Sequence, residues 1–255
     1  MRIIISLLLP ILLVALTGGC TVKVPTIAHT HIGHTITAWQ DTPDRMGLLV
    51  VAEKKAQEAF EHAGRASTEG RDIDVVKSAV SKVLIATDPQ STRSTAIKVG
   101  PPYGLKQALT GAIDHITFAA NSDDATANMR NFAVEFDGNS AAVIERCDLI
   151  TVLGEDISAS SSFEEADILA QEIFSLTQAN LSGIDSDGNG VVGNSPEEYG
   201  VRQLRLELDA MLAREDPPYS TVNRWYVLNL IQLPTGEWAF KERSSDSGGG
   251  GGGGY

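Results

Sequence analysis

The sequence predicts a mainly α-helical bundle carrying one helix–loop–helix and a small C-terminal β-hairpin. Three observations lead there. Apolar residues recur at three- and four-residue spacing through most of 43–214, as one face of a helix requires. Helix-start signals stand before several of those stretches, at Thr42-Pro43, Ser162 and Ser195-Pro196. Only past residue 222 does the composition turn to Trp, Tyr, Val, Leu and Ile around a Pro-Thr-Gly turn.

Taken in order, the first helix is expected from Thr42-Pro43 to about Ala66, with Met46, Leu49, Val50, Ala56, Phe60 and Ala63 on its apolar face. A second fits Asp72 to Ala86, carried by Val75, Val76, Ala79, Val80, Val83 and Leu84. Residues 87–102 are rich in Ser, Thr, Pro and Gly and read as a loop. Tyr103–Ala120 is a third helix. Ser122-Asp-Asp opens a fourth, which Asp137-Gly138-Asn139 is expected to break or kink before helix resumes to about Leu153. The run 41–157 is thus one helical domain. Ser158-Ala-Ser-Ser-Ser162 is a join, and Ser162 caps a helix to Leu181 with Glu164 and Glu165 in its first turn. Another helix runs from Pro196 to about Arg214, making 163–216 a helix–loop–helix that Asp216-Pro-Pro218 ends. Strands at Val222–Leu233 and Trp238–Phe240 give a hairpin, 219–243, expected to pack on the helices because an isolated hairpin is marginal in water. Residues 244–255, with seven consecutive glycines, are expected to be a disordered tail.

The formal charge of −13, from 20 Lys+Arg against 33 Asp+Glu, argues against a nucleic-acid partner, since the surface repels phosphate. Residues 1–19 read as an export signal: Arg2, an apolar run to Leu16 interrupted by Pro10, then small residues. The run is short for a membrane span, which needs about 20 apolar residues. Its exit, Leu16-Thr-Gly-Gly-Cys20, resembles the lipobox of bacterial lipoproteins, with Thr17 where that family prefers leucine. The resemblance implies that Cys20 is acylated after cleavage and that the protein is anchored in the cell envelope. It would then face the periplasm or the surface, at the outer membrane in a Gram-negative host. No protein partner can be read from the chain. With Cys20 so used, Cys147 has no disulfide partner, and on a helical face with Val143 and Ile150 it reads as a buried free thiol.

The sharpest motif is Asp185-Ser-Asp187-Gly-Asn189-Gly190-Val191-Val192, closed by Ser195-Pro-Glu197-Glu198. It resembles an EF-hand loop. Calcium takes 6 to 8 oxygen ligands, and alternate short side chains point inward from a tight coil. The resemblance implies Asp185, Asp187, Asn189 and Glu198 as side-chain ligands, with the Val191 carbonyl between them and Glu197 as the fallback for the last. Position twelve, where the family has glutamate, is Pro196 here. Glu198 keeps the usual relation to a helix cap if Ser195 caps the exiting helix, two residues late. Val192 is expected to hold the loop to the core. One such loop, without a partner, predicts a structural ion of weak affinity, Kd about 10⁻⁴ to 10⁻³ M.

Residues 20–40 form a histidine-rich arm. If it is extended, His29 and His31 point to one face and a turn at Gly33 brings His34 round. Imidazoles so placed suit copper or zinc. His62, and His115 at the border of the Leu105, Ala108, Ala112 and Ile116 face, could complete a shared site if the arm folds back. The other reading is a solvated polar arm beside two unrelated helix histidines. No nucleotide loop, nucleophile elbow, H-E-x-x-H helix or haem-attachment motif is present. The chain therefore reads as a binding or structural module, not an enzyme.

Overall fold

The computed structural model describes residues 20–23, 27–68, 72–90, 103–216, 219, 223–227, 230–232 and 238–240. Most of them are helical. Among the described residues seven α-helices follow one another: α1 Ile27–Ile36, α2 Leu48–Thr68, α3 Ile73–Thr87, α4 Leu105–Asn121, α5 Ala127–Ala159, α6 Phe163–Ser182 and α7 Val201–Ala213. They belong to one compact unit, Ile27–Tyr219. Two apolar cores lie along it. One gathers Ile32, Leu49, Leu109, Phe136 and Leu204 from α1, α2, α4, α5 and α7. The other gathers Val80, Val83, Ile150, Ile157 and Ile173 from α3, α5 and α6, with Ala59 and Ala63 of α2. The 33-residue helix α5 contributes to both cores, as does α2.

Four departures from the expected elements have physical reasons. The arm is not extended over 27–36 but forms α1, because Ala28, Ile32 and Thr35 are buried at helical spacing. Its first free N–H groups, those of Ile27 and Ala28, donate to the Asp124 carboxylate at 2.8 and 3.1 Å. Ten residues make a marginal helix alone, so this borrowed cap and the buried face decide the state.

The second helix begins at Leu48, not at Pro43. Pro43–Arg45 is a separate 3₁₀ turn in which Asp44 and Arg45 have φ of 56° and 54°. The Thr42 hydroxyl reaches the carbonyls of Trp39 and Met46 across that turn, which holds Trp39 in place.

The third departure is in α5, which runs through Asp137-Gly138-Asn139 without interruption from a Thr126 cap. Phe132, Phe136, Ser140, Val143 and Cys147 keep one buried stripe across the three residues, and a mid-helix glycine costs only about 1 kcal/mol. The fourth concerns Pro196–Glu198, which is a 3₁₀ turn separated from α7 by an extended Tyr199 and capped by no Ser195 side chain.

Cys147 is fully buried and unpaired, as expected of a small apolar filler, and burial raises its thiol pKa far above the usual range. Among the described residues no helix is long and apolar enough to cross a membrane.

The described residues of a second unit form four short strands in antiparallel order: β1 Cys20–Lys23, β2 Asn223–Val227, β3 Leu230–Gln232 and β4 Trp238–Phe240. Their register pairs Thr21 with Trp225, Tyr226 with Ile231, and Ile231 with Ala239. The segments expected as an export signal (1–19), as part of the 87–102 loop (91–102), as a helix stop (Pro217-Pro218), as a turn (Pro234-Thr-Gly236) and as a disordered tail (244–255) lie outside the described residues.

Candidate functional site

Among the described residues, two clusters of side chains that could hold a metal ion stand in the helical unit. The first is the loop between α6 and α7. Asp185 and Asp187 each fold back onto the loop backbone. Asp185 accepts the N–H groups of Asn189 and Gly190 at 3.1 and 2.8 Å, and Asp187 accepts that of Asn189 at 3.0 Å. Asn189 donates from its amide to Asp187 and accepts the Val191 N–H. Gly190 sits at φ 86°, the left-handed conformation that its place in the motif demands.

Glu198 closes the circle from the far end, and ligand atoms of Asp185, Asp187 and Glu198 all lie within 4.8 Å of one another. Its side chain is 1% exposed, whereas Glu197 points to solvent. The candidate last ligand is therefore Glu198 and not its neighbour. Both Glu198 oxygens are engaged: one by the Ser186 N–H and hydroxyl, the other by the N–H groups of Gly193 and Asn194. The Asn194 N–H above all, with those of Ser186 and Gly193, holds its carboxyl below the usual range although burial works the other way. The carboxylate is thus kept ionised where an ion would need it. Val192 does not reach the core; it is 36% exposed and lies over Gly183.

The neck of this loop is built by residues whose importance has no motif. A Cβ on Gly200 would stand 2.3 Å from the Gly183 nitrogen, and one on Gly183 would stand 2.4 Å from the Glu198 carbonyl oxygen. Two backbones touch there, and the Ile184 N–H donates to that same Glu198 carbonyl at 3.0 Å. Arg146 on α5 donates to the carbonyls of Glu197 and Tyr199 at 3.1 and 2.7 Å, tying the loop exit to the bundle. Neither device is encoded in the motif, since both depend on chain segments brought together by packing.

The second cluster is imidazole. His31 and His34, three residues apart on α1, share a face and meet His115 of α4. The Nδ1 atom of His115 lies 3.1 Å from that of His31 and 3.3 Å from that of His34. Burial lowers the pKa of all three, His115 to about 4, so each ring is neutral at neutral pH with a lone pair to offer. Trp39 packs against His34 and His115, with centroids 4.5 Å away in both cases, and Phe118 against His31 and His115. Trp39, His115 and Phe118 also wall an open cleft of about 520 Å³, with Tyr103, Lys106 and Asp114 on its other sides.

His29 is not in this cluster. On a helix it points away from His31, and it meets Glu215 at 3.4 Å and the Tyr219 ring edge-on. The expected pairing of His29 with His31 assumed an extended chain. Glu215, with its side chain fully buried, also accepts from Thr126 and Asn128, both at 2.7 Å, so His29 belongs to a structural clamp across α1, α5 and the end of α7. His62 is likewise outside the cluster, on the second core's side of α2, among Arg65, Lys82, Glu58 and Glu61. The cysteine expected to be acylated, Cys20, is the first residue of β1, where its backbone pairs with Tyr226. Comparisons with protein-family models, curated proteins and solved structures found no match to the chain.

Proposed function

We propose that this chain is an exported, lipid-anchored calcium-binding protein of the cell envelope, in which calcium acts structurally by fixing the angle between α6 and α7. One observation carries the reading. Asp185, Asp187 and Glu198 present oxygens within 4.8 Å of one another although the loop is two residues longer than the motif it resembles. Those groups are hard oxygen donors with no nitrogen or sulfur among them, the set calcium prefers. Asn189 and the Val191 carbonyl lie on the same coil and would add to them. Three carboxylates held this close repel one another in the apo-protein, and a divalent cation removes that repulsion. With one loop and no second to couple to, an ion here stabilises rather than signals.

The same reading takes 219–243 as a small β-hairpin and Cys20 as the acylated residue that keeps the protein at the membrane. Its role there is binding or structural, without catalysis.

Thermal melting in calcium tests the site. At a Kd of about 10⁻⁴ to 10⁻³ M, 10 mM Ca²⁺ adds about 1.4 to 2.7 kcal/mol, a rise in Tm of roughly 3 to 10 °C for a chain of this size. Asp185→Ala and Glu198→Gln should abolish the rise. An unchanged Tm in the unaltered protein, or an equal rise in Asp185→Ala, would remove calcium from the account.

A further inference from the structure

The histidine cluster is separate from the oxygen loop in residues and in donor chemistry, and its geometry is that of a ligand set. A neutral imidazole nitrogen has one in-plane direction, occupied either by a proton or by a lone pair. The Nδ1 atom of His115 therefore makes one good hydrogen bond, yet two ring nitrogens approach it, at 3.1 and 3.3 Å. With ring nitrogens about 2.05 Å from an ion, those separations subtend about 98° and about 107° at the metal. These angles fall between square-planar and tetrahedral coordination. One ligand nitrogen from each of the three rings lies within 4.8 Å of the others, a spacing from which one cation can gather all three and keep a fourth position for water or an exchangeable ligand.

We propose that His31, His34 and His115 bind one divalent transition ion, Cu²⁺ more tightly than Zn²⁺ and Ca²⁺ not at all. Three observations converge on this. The ligands sit on two packed helices, α1 and α4, rather than on a loop, and α1 is anchored at its start by Asp124 and through His29 by Glu215. Trp39 packs on His34 and Phe118 on His115, and this aromatic surface lowers the local dielectric beside the nitrogens, which strengthens a metal–nitrogen bond. The donor set is borderline nitrogen without thiolate, which suits copper and zinc, with copper favoured by the general affinity order of divalent ions. The cleft walled by His115, Trp39 and Phe118 also carries Tyr103, Lys106 and Asp114, polar groups that adjoin the cluster.

Full-length protein stripped with a chelator and titrated with CuSO₄ or ZnCl₂ against a chromogenic competitor reads the stoichiometry and Kd. One Cu²⁺ per chain is expected, held more tightly than Zn²⁺, with electron paramagnetic resonance showing coupling to imidazole nitrogen. Each of His31→Ala, His34→Ala and His115→Gln should weaken Cu²⁺ binding at least tenfold, since even losing a partner that merely orients a ligand costs roughly that much. His62→Ala should leave it unchanged, as should Asp185→Ala, so this site and the calcium loop stand or fall separately. His31 and His34 are only half-buried, so replacing them should leave the melting transition intact and keep a negative result interpretable. Cu²⁺ held no tighter than 10⁻⁴ M, or equal loss in His62→Ala, or no loss in any one of the three variants, overturns the proposal.

Discussion

The two clusters are built in opposite ways. The oxygen loop is one contiguous segment, Asp185 to Glu198, whose side chains are held by the backbone of their own coil. The imidazole cluster joins residues 81 and 84 positions apart, and only the packing of α1 on α4 brings them together. A local coil can keep its shape while the bundle breathes, whereas the imidazole cluster has no existence apart from the bundle. The two sites should therefore respond differently to the same injuries.

The largest separation is expected at Glu215. Its buried carboxylate receives Thr126 and Asn128 and meets His29, so Glu215→Ala removes a shared partner from three groups at once. Loss of a buried charged acceptor of this kind costs about 3 kcal/mol. Chemical denaturation should show that loss, and the same variant should bind Cu²⁺ several-fold more weakly because α1 is less firmly placed, while its Tm rise in Ca²⁺ survives. If Cu²⁺ affinity holds while stability falls, α1 is positioned by Ile32 and its neighbours alone, and the clamp has nothing to do with the site.

The converse injury lies at Gly200. A methyl group 2.3 Å from the Gly183 nitrogen forces two backbones apart at the neck of the loop, and overpacking of this kind typically costs about 1 to 3 kcal/mol. Gly200→Ala should lose the Ca²⁺-dependent rise in Tm and keep Cu²⁺ binding within twofold. If both responses vanish, the loop and the bundle are one cooperative structure and the two sites are not independent.

The same contrast sets how much could be read from the chain. The helices α2 to α7 were legible because their apolar periods are long, and Ser162 was legible as a cap because it stands next to the N–H it receives. The gathering of Asp185, Asp187 and Glu198 was legible for the same reason, since all three lie in one contiguous loop. Where sequence reasoning went astray, a distant residue decided the outcome. The β-branched Thr and Ile of the arm favour an extended chain, one of the states the sequence leaves open, but Asp124, nearly a hundred positions away, caps it as helix. His115 was recognisable as part buried from its place at the edge of an apolar face, yet nothing local told it apart from His62 as the partner of the arm. Trp39, Arg146 and Glu215 carry no motif at all, since each acts only on groups that folding brings to it. Local rules also over-reached, as at Ser195, which has the composition of a cap but makes no cap bond in the folded chain.

Gly138 offers the smallest and most pointed test of that last kind of error. Asp137-Gly138-Asn139 has turn composition, and only the buried stripe of Phe132, Phe136, Ser140 and Val143 overrides it. If the stripe wins as described, Gly138 is an ordinary exposed mid-helix residue whose missing side chain costs stability and gains nothing. A Cβ there meets nothing within 4 Å, so Gly138→Ala should stabilise the protein by about 0.5 to 1 kcal/mol through helix propensity and a less free unfolded chain. Both metal responses should stay as they are, because α5 supports the two cores without lending a ligand to either cluster. A loss of stability instead would mean that the helix does bend at this glycine, and that the turn signal, not the stripe, describes α5 in solution.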